Sequence, residues 1–540
     1  MAINLTSKKI LVIEDHASAR ETIIHILGSL GARFIVTVES GVDAITAMRA
    51  DQFDIVLCDY ILLGNKTGQQ VLEDARHLKL LPVSSIFIMV TGEHRLEVVL
   101  SAVDNRPDDY LIKPFSQKQL SSRIESCHAR KEYVSSVENE IDSGNLYQAI
   151  RNCEQLLQQG DISMRLPLLK MHAELTLKVG DFKAAEEIYQ GILRKREIPW
   201  ARLGLGVVAF WLGNYDQAIE TFEGLIEQHS LMLEAYDWLA KTHEFMGNDE
   251  HALSSLNSAV TLAPKSILRQ KKLALLANKT NNIEAAKRAY IATIELGKNS
   301  VHRSSSDYSG LANVYLKSDS ANKALEIVYK MNLQFQNDPE AKLRGALLEA
   351  EIYKGKGNQT LAQRAYGNAL KLNEQVNKQI SKELRLEMAK TFYLNGNCAT
   401  CNDILDDLVR THIDDKLFIK EIVTMCNAFV GENYAETLIQ SLNKELADTN
   451  NKGVSLFQAG DIKGAREVFE QAIAKRPDNH TVILNLIKII IHDIKASKSD
   501  PEKIMSAQSY INKAIQVGVP HHQICGLQTE LDAIQFKTDQ

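Results

Sequence analysis

The sequence predicts a doubly wound α/β domain with a parallel sheet, followed by a long all-α superhelix of helical hairpins. Three observations carry this reading. First, four apolar runs near the N-terminus each end in polar groups. Ile10 to Ile13 ends in Glu14-Asp15, and Phe53 to Cys58 in Asp59. Ile86 to Val90 ends in Thr91-Gly92, and Tyr110 to Ile112 in Lys113-Pro114-Phe115. Short apolar runs bounded in this way are buried strands, and parallel strands place all their C-termini on one ligand-binding edge. Second, strand-like runs stop beyond about residue 125, and helical spacing continues to the end. Third, in that region a turn residue is followed five positions later by a small residue, again and again.

The polar groups at the four strand ends are those needed to phosphorylate a carboxylate. Such a reaction brings two anions together, so a hard divalent cation must offset their repulsion. Mg²⁺ takes oxygen ligands in near-octahedral geometry. Glu14, Asp15 and Asp59 supply carboxylates, Lys113 a fixed positive charge and Thr91 a hydroxyl donor. This ordered set resembles the receiver domain of bacterial two-component response regulators, a CheY-like, flavodoxin-like fold with a five-stranded parallel sheet. The resemblance implies that Asp59 is the phosphoacceptor, acting with Thr91 and Lys113. It implies Mg²⁺ held by Glu14, Asp15, Asp59 and the Ile61 backbone carbonyl, and a switch built from Thr91 and Tyr110. It also implies a sensor histidine kinase as donor. Two features depart from the family pattern, the first acidic position and the loop after Asp59. Glu14 stands where Asp is commoner, and Leu63 stands where the family has proline. Gly68 comes one residue late, which lengthens the loop Leu62 to Gly68.

Length and composition agree with several units. At 540 residues the chain exceeds one core. A net charge of −6 argues against a general attraction to nucleic acid or anionic membrane. Seven cysteines, an odd count, suit reduced thiols in a cytoplasmic protein. Met1 runs through Lys8-Lys9 into the first strand without a signal-peptide pattern, and no apolar stretch reaches the ~20 residues of a membrane helix.

The turn and small-residue pairs are Gly144/Ala149, Gly180/Ala185, Gly213/Ala218, Gly247/Ala252, Asn281/Ala286, Asp319/Ala324, Gly357/Ala362, Gly396/Cys401 and Gly460/Ala465. From Ala185 to Ala218, Ala252 and Ala286 the steps are 33, 34 and 34 residues. That period resembles the tetratricopeptide repeat (TPR). Tyr236, Leu239 and Ala240 open one unit, and Leu256, Ala259 and Pro264 close it; Leu205, Gly206 and Phe222 match one unit earlier. Small residues are needed where paired helices approach. Phe222, Tyr290, Tyr366 and Phe469 fill the space between neighbours, and Gly or Asn ends the first helix in the left-handed conformation. Units of this kind bury their apolar faces only by stacking. The spacing widens after Ala286 and is irregular near Gly431, giving about nine or ten units.

The expected division is a receiver at 1–128, a TPR solenoid at 129–480 and a helical C-terminal cap at 481–540. Leu120 to Glu140 lacks Gly and Pro, so the last receiver helix runs into the first repeat directly or with one break. Cys398 and Cys401 have redox-motif spacing without a second pair, and Cys401 fills a packing slot. His521-His522 lacks partner ligands, and His16 is read as a cap or a solvent-facing residue. The basic clusters Arg194-Lys195-Arg196 with Arg202, and Arg269 with Lys271-Lys272, are read as solvated helix faces.

No catalytic output domain is recognisable, so a non-enzymatic response regulator is expected, with protein binding as its output. Phosphate on Asp59 reshapes the face made by the fourth helix, fifth strand and fifth helix, through Tyr110. That changes how the receiver docks on the solenoid or pairs with a second receiver as a homodimer. The solenoid's concave face takes a protein target. Domain order and Gly68 to Leu72 resemble the VieB-like receiver–TPR regulators of proteobacteria, which implies modulation of a kinase or a sibling regulator. The alternatives are a transcription regulator that binds nucleic acid and a constitutive TPR scaffold with a silent receiver.

Overall fold

Five parallel strands form the N-terminal sheet in the order β2-β1-β3-β4-β5. They are β1 (Lys9–Ile13), β2 (Phe34–Val38), β3 (Ile55–Asp59), β4 (Ile86–Thr91) and β5 (Asp109–Ile112). Apart from Lys9 at the start of β1 and Asp59 and Thr91 at the ends of β3 and β4, these three strands are apolar because helices cover both sheet faces. β2 is one of the two edge strands, and its Phe34 and Val36 are exposed. Alternate residues feed two cores. Leu11, Ile13, Val56, Cys58, Phe87 and Met89 pack with α2 (Gly41–Ala50) and α3 (Gly68–His77). Ile10, Val12, Ile55, Leu57, Ile88 and Val90 pack with α1 (Ala17–Ser29) and α4 (Gln117–Asp142).

The structure is a computed structural model. It describes residues 4–62, 66–92, 107–375, 380–413, 415–431, 433–475, 479–496 and 501–517, with 519, 523, 524, 526–528, 530, 531 and 534 beyond them. Part of the Leu62–Gly68 loop, the fourth receiver helix and His521-His522 therefore lie outside the described residues. The chain divides into two compact units, Met1–Leu175 with Ala185–Met331, and Thr176–Ala184 with Asn332–Gln540.

α4 starts at a capping box, in which the Ser116 side chain takes the Gln119 amide and the Gln119 side chain takes the Ser116 amide. It then runs unbroken for 26 residues, past residue 128 and into the helical region. Its second half packs Val137 and Ile141 against Ala149 and Cys153 of α5 (Leu146–Gln159).

Helical hairpins follow. In the first unit they comprise most of α6 (Ile162–Lys178), most of α7 (Phe182–Leu193), α8 (Pro199–Trp211), α9 (Tyr215–Gln228), α10 (Leu233–Met246), α11 (Asp249–Leu262), α12 (Ile267–Lys279), α13 (Ile283–Gly297), α14 (Ser305–Lys317) and most of α15 (Ala321–Gln334). The nine turn residues of the repeat pattern all have φ between +51° and +84°. The small residues that follow them are at most 4% exposed. Close approach explains further glycines. A Cβ on Gly204 would lie 2.3 Å from the Tyr189 ring, and one on Gly310 2.2 Å from the Tyr290 ring.

In the second unit, helices from Pro339–Gly355 to Tyr434–Gln458 share one core that includes Leu343, Phe392, Cys401, Leu405 and Ile422. The irregular stretch near Gly431 is followed by a 25-residue helix, Tyr434–Gln458. A separate core joins Ala465 and Phe469 to Ile483, Ile487, Ile511 and Leu531, so one cluster spans residues on both sides of position 480. Cys398 is exposed and Cys401 is buried in a helix, and the six described cysteines are free thiols. Among the described residues no helix is long and apolar enough to cross a membrane.

Candidate phosphoacceptor site

The strand register places the site. Ile13 pairs with Cys58, Asp59 with Val90, and Thr91 with Ile112. Glu14, Asp59, Thr91 and Lys113 therefore emerge together at the C-terminal edge of the sheet. The Lys113 amide donates to the Thr91 carbonyl at 2.8 Å, and the Tyr60 amide to Val90 at 3.0 Å, which fixes these strand ends to one another.

Lys113 is the electrostatic centre. Its Nζ donates to Asp59 Oδ2 at 2.6 Å and to Glu14 Oε2 at 2.5 Å. Burial disfavours the Lys113 ammonium, but the hydrogen bonds and charges of Asp59 and Glu14 outweigh it, and its pKa is raised. Burial, with the nearby Asp59 charge, raises the Glu14 pKa against the opposing pull of Lys113. The Glu14 side chain is 1% exposed and that of Asp15 3% exposed. Glu14 Oε1 is buried with no hydrogen-bond partner. Asp59 is 8% exposed, and its Oδ1 accepts from the Ile61 amide at 3.2 Å. Thr91 is buried at 5% exposure at the end of β4, while Tyr110 is half-buried on β5 and packs on the α2–α3 face.

The donor set fits a hard cation. Oxygens of Glu14 and Asp15, with a ring nitrogen of His16, lie within 4.8 Å of one another. Glu14 Oε1, buried without a hydrogen bond, offers a lone pair to a hard cation. His16 holds the N-cap position of α1 with its side chain 71% exposed, and its Nδ1 lies 3.0 Å from Asp15 Oδ1. Hydrogen bonding to Asp15 raises the His16 pKa.

Gly68 belongs to the site, although its position is shifted by one residue. Its amide donates to the Tyr60 carbonyl at 3.0 Å. A Cβ there would stand 2.1 Å from the Asp59 carbonyl oxygen and 3.0 Å from the Cys58 sulfur. Helix α3 thus begins directly against the Asp59 backbone, capped by Thr67 and Gln70.

The sequence did not reveal where the other side of that helix goes. Lys66 and Asp74 form a buried ion pair, with side chains 10% and 9% exposed. Lys66 Nζ also donates to the Asn299 carbonyl at 2.7 Å, and Gln70 Nε2 to the Leu296 carbonyl at 3.1 Å. The Val301 amide donates to Asp74 Oδ1 at 3.2 Å, and the Ser300 hydroxyl to Glu73 at 3.4 Å. Helix α3 is therefore docked on the segment between α13 and α14 of the repeats. A buried acid on an amphipathic helix was the available signal, since Asp74 sits with Val71 and Ala75 on the covered face.

Of the two basic clusters, Arg194, Lys195, Arg196 and Arg202 are exposed as expected, and the one at Arg269 needs correction. Arg269 does not lie on a solvated face: it is 4% exposed and grips Asp237, with Nη2–Oδ2 at 2.8 Å. Lys271 pairs with Asp307 at 3.0 Å, and Arg202 pairs with Glu197. Arg269 and Lys271 are satisfied by carboxylates of neighbouring helices, whereas Arg202 and Glu197 meet at the exposed surface.

Residues 10–125 match the response regulator receiver domain family, and residues 170–232, 233–266 and 451–479 match tetratricopeptide repeat families. The chemotaxis protein CheY of Pseudomonas aeruginosa is 30% identical over 125 residues, which cover 23% of this chain and 97% of that protein. The probable transcriptional regulator ycf27 of Guillardia theta is 30% identical over 22% of this chain, and this match spans only 44% of the relative's length. Among solved structures, a tetratricopeptide repeat protein from Parabacteroides merdae aligns at 17% identity with a TM-score of 0.30, covering 48% of this chain and 98% of its own. With the acidic edge, the bridging lysine and the repeat turns in place, the chain belongs to the response regulator receiver family, as a receiver followed by tetratricopeptide repeats.

Proposed function

We propose that this protein is a phosphorylation-controlled protein-binding regulator. A sensor histidine kinase donates a phosphoryl group to Asp59, and the repeats bind a target protein according to the state of that residue. The observation that carries the reading is the Lys113 ammonium held between Asp59 and Glu14 at the sheet edge, at 2.6 and 2.5 Å.

An Asp59 carboxylate oxygen attacks phosphorus, the donor's N–P bond breaks, and the donor imidazole keeps the electron pair and is reprotonated. Lys113 is placed to follow the charge as it moves from the carboxylate to the phosphoryl oxygens. Mg²⁺, held by Glu14, Asp15, Asp59 and the Ile61 carbonyl, would offset the repulsion between the two anions. Thr91 and Tyr110 are the residues through which the added charge, about −1.5 to −2, is read by the surrounding fold.

A second route leads outward. Asp59 abuts Gly68, Gly68 opens α3, and α3 holds the 296–301 segment of the repeats. Phosphate on Asp59 shifts the start of α3 and biases that docking, so the receiver controls the repeat surface from within the same chain. The repeats bind a protein target on their concave face: a kinase, a sibling regulator or another target protein. The protein acts in the cytoplasm and is not itself an enzyme.

The test is direct labelling. With Mg²⁺ and a phosphohistidine or acyl phosphate donor, intact mass should rise by one phosphoryl group in the wild type and not in Asp59→Asn. Equal labelling of both would reject Asp59 as acceptor. Wild-type protein that takes no label from a panel of kinases or small donors would favour the scaffold reading.

A further inference from the structure

We infer that the groove between α6 and α7 is a docking site for an acidic amphipathic helix of a partner protein. The inference rests on the protein-binding function proposed for the repeats and names the chemistry of one partner.

The groove has a volume of about 620 Å³. Its floor is Ile162, Leu166 and Leu169 from α6, with Ile188, Ile192 and Ile198 opposite. Ile162, Leu166 and Leu169 are spaced i, i+4 and i+7, and Ile188 and Ile192 are spaced i and i+4. Each side therefore presents one helical ridge, and the cleft between two such ridges is the seat for a third helix. The floor faces water: Ile162 is 88% exposed and Leu166 is 39% exposed. An isolated exposed apolar residue is ordinary, but a contiguous apolar cleft inside a polar rim marks an interaction site. Gly191 lies in the lining, and no heavy atom stands within 4 Å of the position its Cβ would take. A partner can approach the backbone closely there.

The rim sets the sign of the partner. Arg165, Arg194, Lys195 and Arg196 line the groove, and Glu187 is the acid among them. Arg165, Lys195 and Arg196 have no ion-pair partner among the described residues, and the Arg194 side chain reaches the Gln190 carbonyl at 3.4 Å. Elsewhere in this unit Arg269, Lys271 and Arg202 are paired with carboxylates. The chain as a whole carries −6, so this cationic rim runs against the overall charge. Cations around an apolar floor select a helix with apolar anchors on one stripe and Asp or Glu beside them. They reject a basic helix by like-charge repulsion and desolvation.

A random peptide library displayed on phage, panned on the full-length protein, tests this. Selection against Ile162→Asp/Leu166→Asp protein removes peptides that bind elsewhere. The enriched sequences should carry apolar residues at helical spacing with acidic neighbours. Their affinity, read by fluorescence anisotropy, should fall at least about tenfold in Arg165→Glu/Arg196→Glu protein and weaken as salt is raised. It should be unchanged in Leu275→Asp, a control at another exposed apolar position, 63% exposed. Circular dichroism checks that each variant is folded. No enrichment, enrichment of neutral or basic sequences, or affinities within about twofold after charge reversal would overturn the assignment. Asp59 labelling is measured on the same variants. A groove that selects nothing while Asp59 still takes phosphate sinks this inference alone, whereas selected peptides with no labelling sink the phosphoacceptor reading alone.

Discussion

The Val301 amide donates to the Asp74 carboxylate at 3.2 Å, and this bond joins a receiver helix to a repeat loop 227 positions away in sequence. Asp74 holds Lys66 with its other oxygen, and Lys66 in turn reaches the Asn299 carbonyl. One carboxylate therefore ties Lys66 and Val301 together, beside the separate Gln70–Leu296 and Ser300–Glu73 bonds.

Replacing Asp74 with Ala should leave Lys66 as a buried unpaired cation and the Val301 amide without its acceptor. Breaking a buried pair from one side costs about 3 kcal/mol. Hydrogen exchange should rise in two stretches together, 68–77 and 296–303, with the strand cores still protected. Unchanged exchange in both would show that the contact adds nothing to the docked state.

The same junction should respond to acid. Burial lowers the His302 pKa below its ordinary 6.5, and Lys271 and His77 lower it further against an opposing pull from Asp74. A histidine whose folded pKa is lowered binds fewer protons in the folded state than in the unfolded one. Its share of stability is therefore full above 6.5 and is lost as pH falls from there through the folded value. As pH falls below 6.5 the junction should loosen. His302→Gln should flatten that part of the profile, as followed by exchange at 296–303.

Gly68→Ala should be far more damaging than an ordinary change at a helix start. The added methyl would meet the Asp59 carbonyl oxygen at 2.1 Å, and backbone cannot swing aside as a side chain can. The expected outcome is a loss of about 2–4 kcal/mol of stability with labelling of Asp59 slowed or abolished. Thermal melting and mass spectrometry read the two effects separately.

Asp15→Ala removes a carboxylate whose side chain is 3% exposed, beside the partnerless Glu14 oxygen. The rise in melting temperature on adding Mg²⁺ should shrink, and the apparent affinity should fall at least about tenfold. An equal Mg²⁺ response in both proteins would remove Asp15 from the ligand set.

Much of this was legible because it is periodic or local. Apolar runs ending in Glu14, Asp59, Thr91 and Lys113 are strands because no other element buries so short a run, and the register then gathers their ends. The repeat turns were readable because Gly247 or Asn281 takes a backbone conformation that few residues accept. What stayed hidden was nonlocal. Arg269 looked like part of a surface cluster, yet its partner Asp237 lies 32 positions earlier, about one repeat away, so the pair is made only by stacking. Asp74 and Val301 share no local pattern at all. Gly68 looked displaced when counted along the chain, whereas the quantity that matters is its distance from the Asp59 carbonyl.

The unbroken helix Gln117–Asp142 has one more consequence. It tethers the receiver covalently to the repeats by a stiff rod rather than a floppy linker. At about 1.5 Å per residue such a rod permits only a narrow set of relative positions. When the Asp74–Val301 contact opens, the two surfaces do not diffuse apart. Their effective concentration stays high and independent of how much protein the cell makes. Re-closure is then unimolecular, and the balance between open and closed contact depends on the chain's own geometry rather than on expression level.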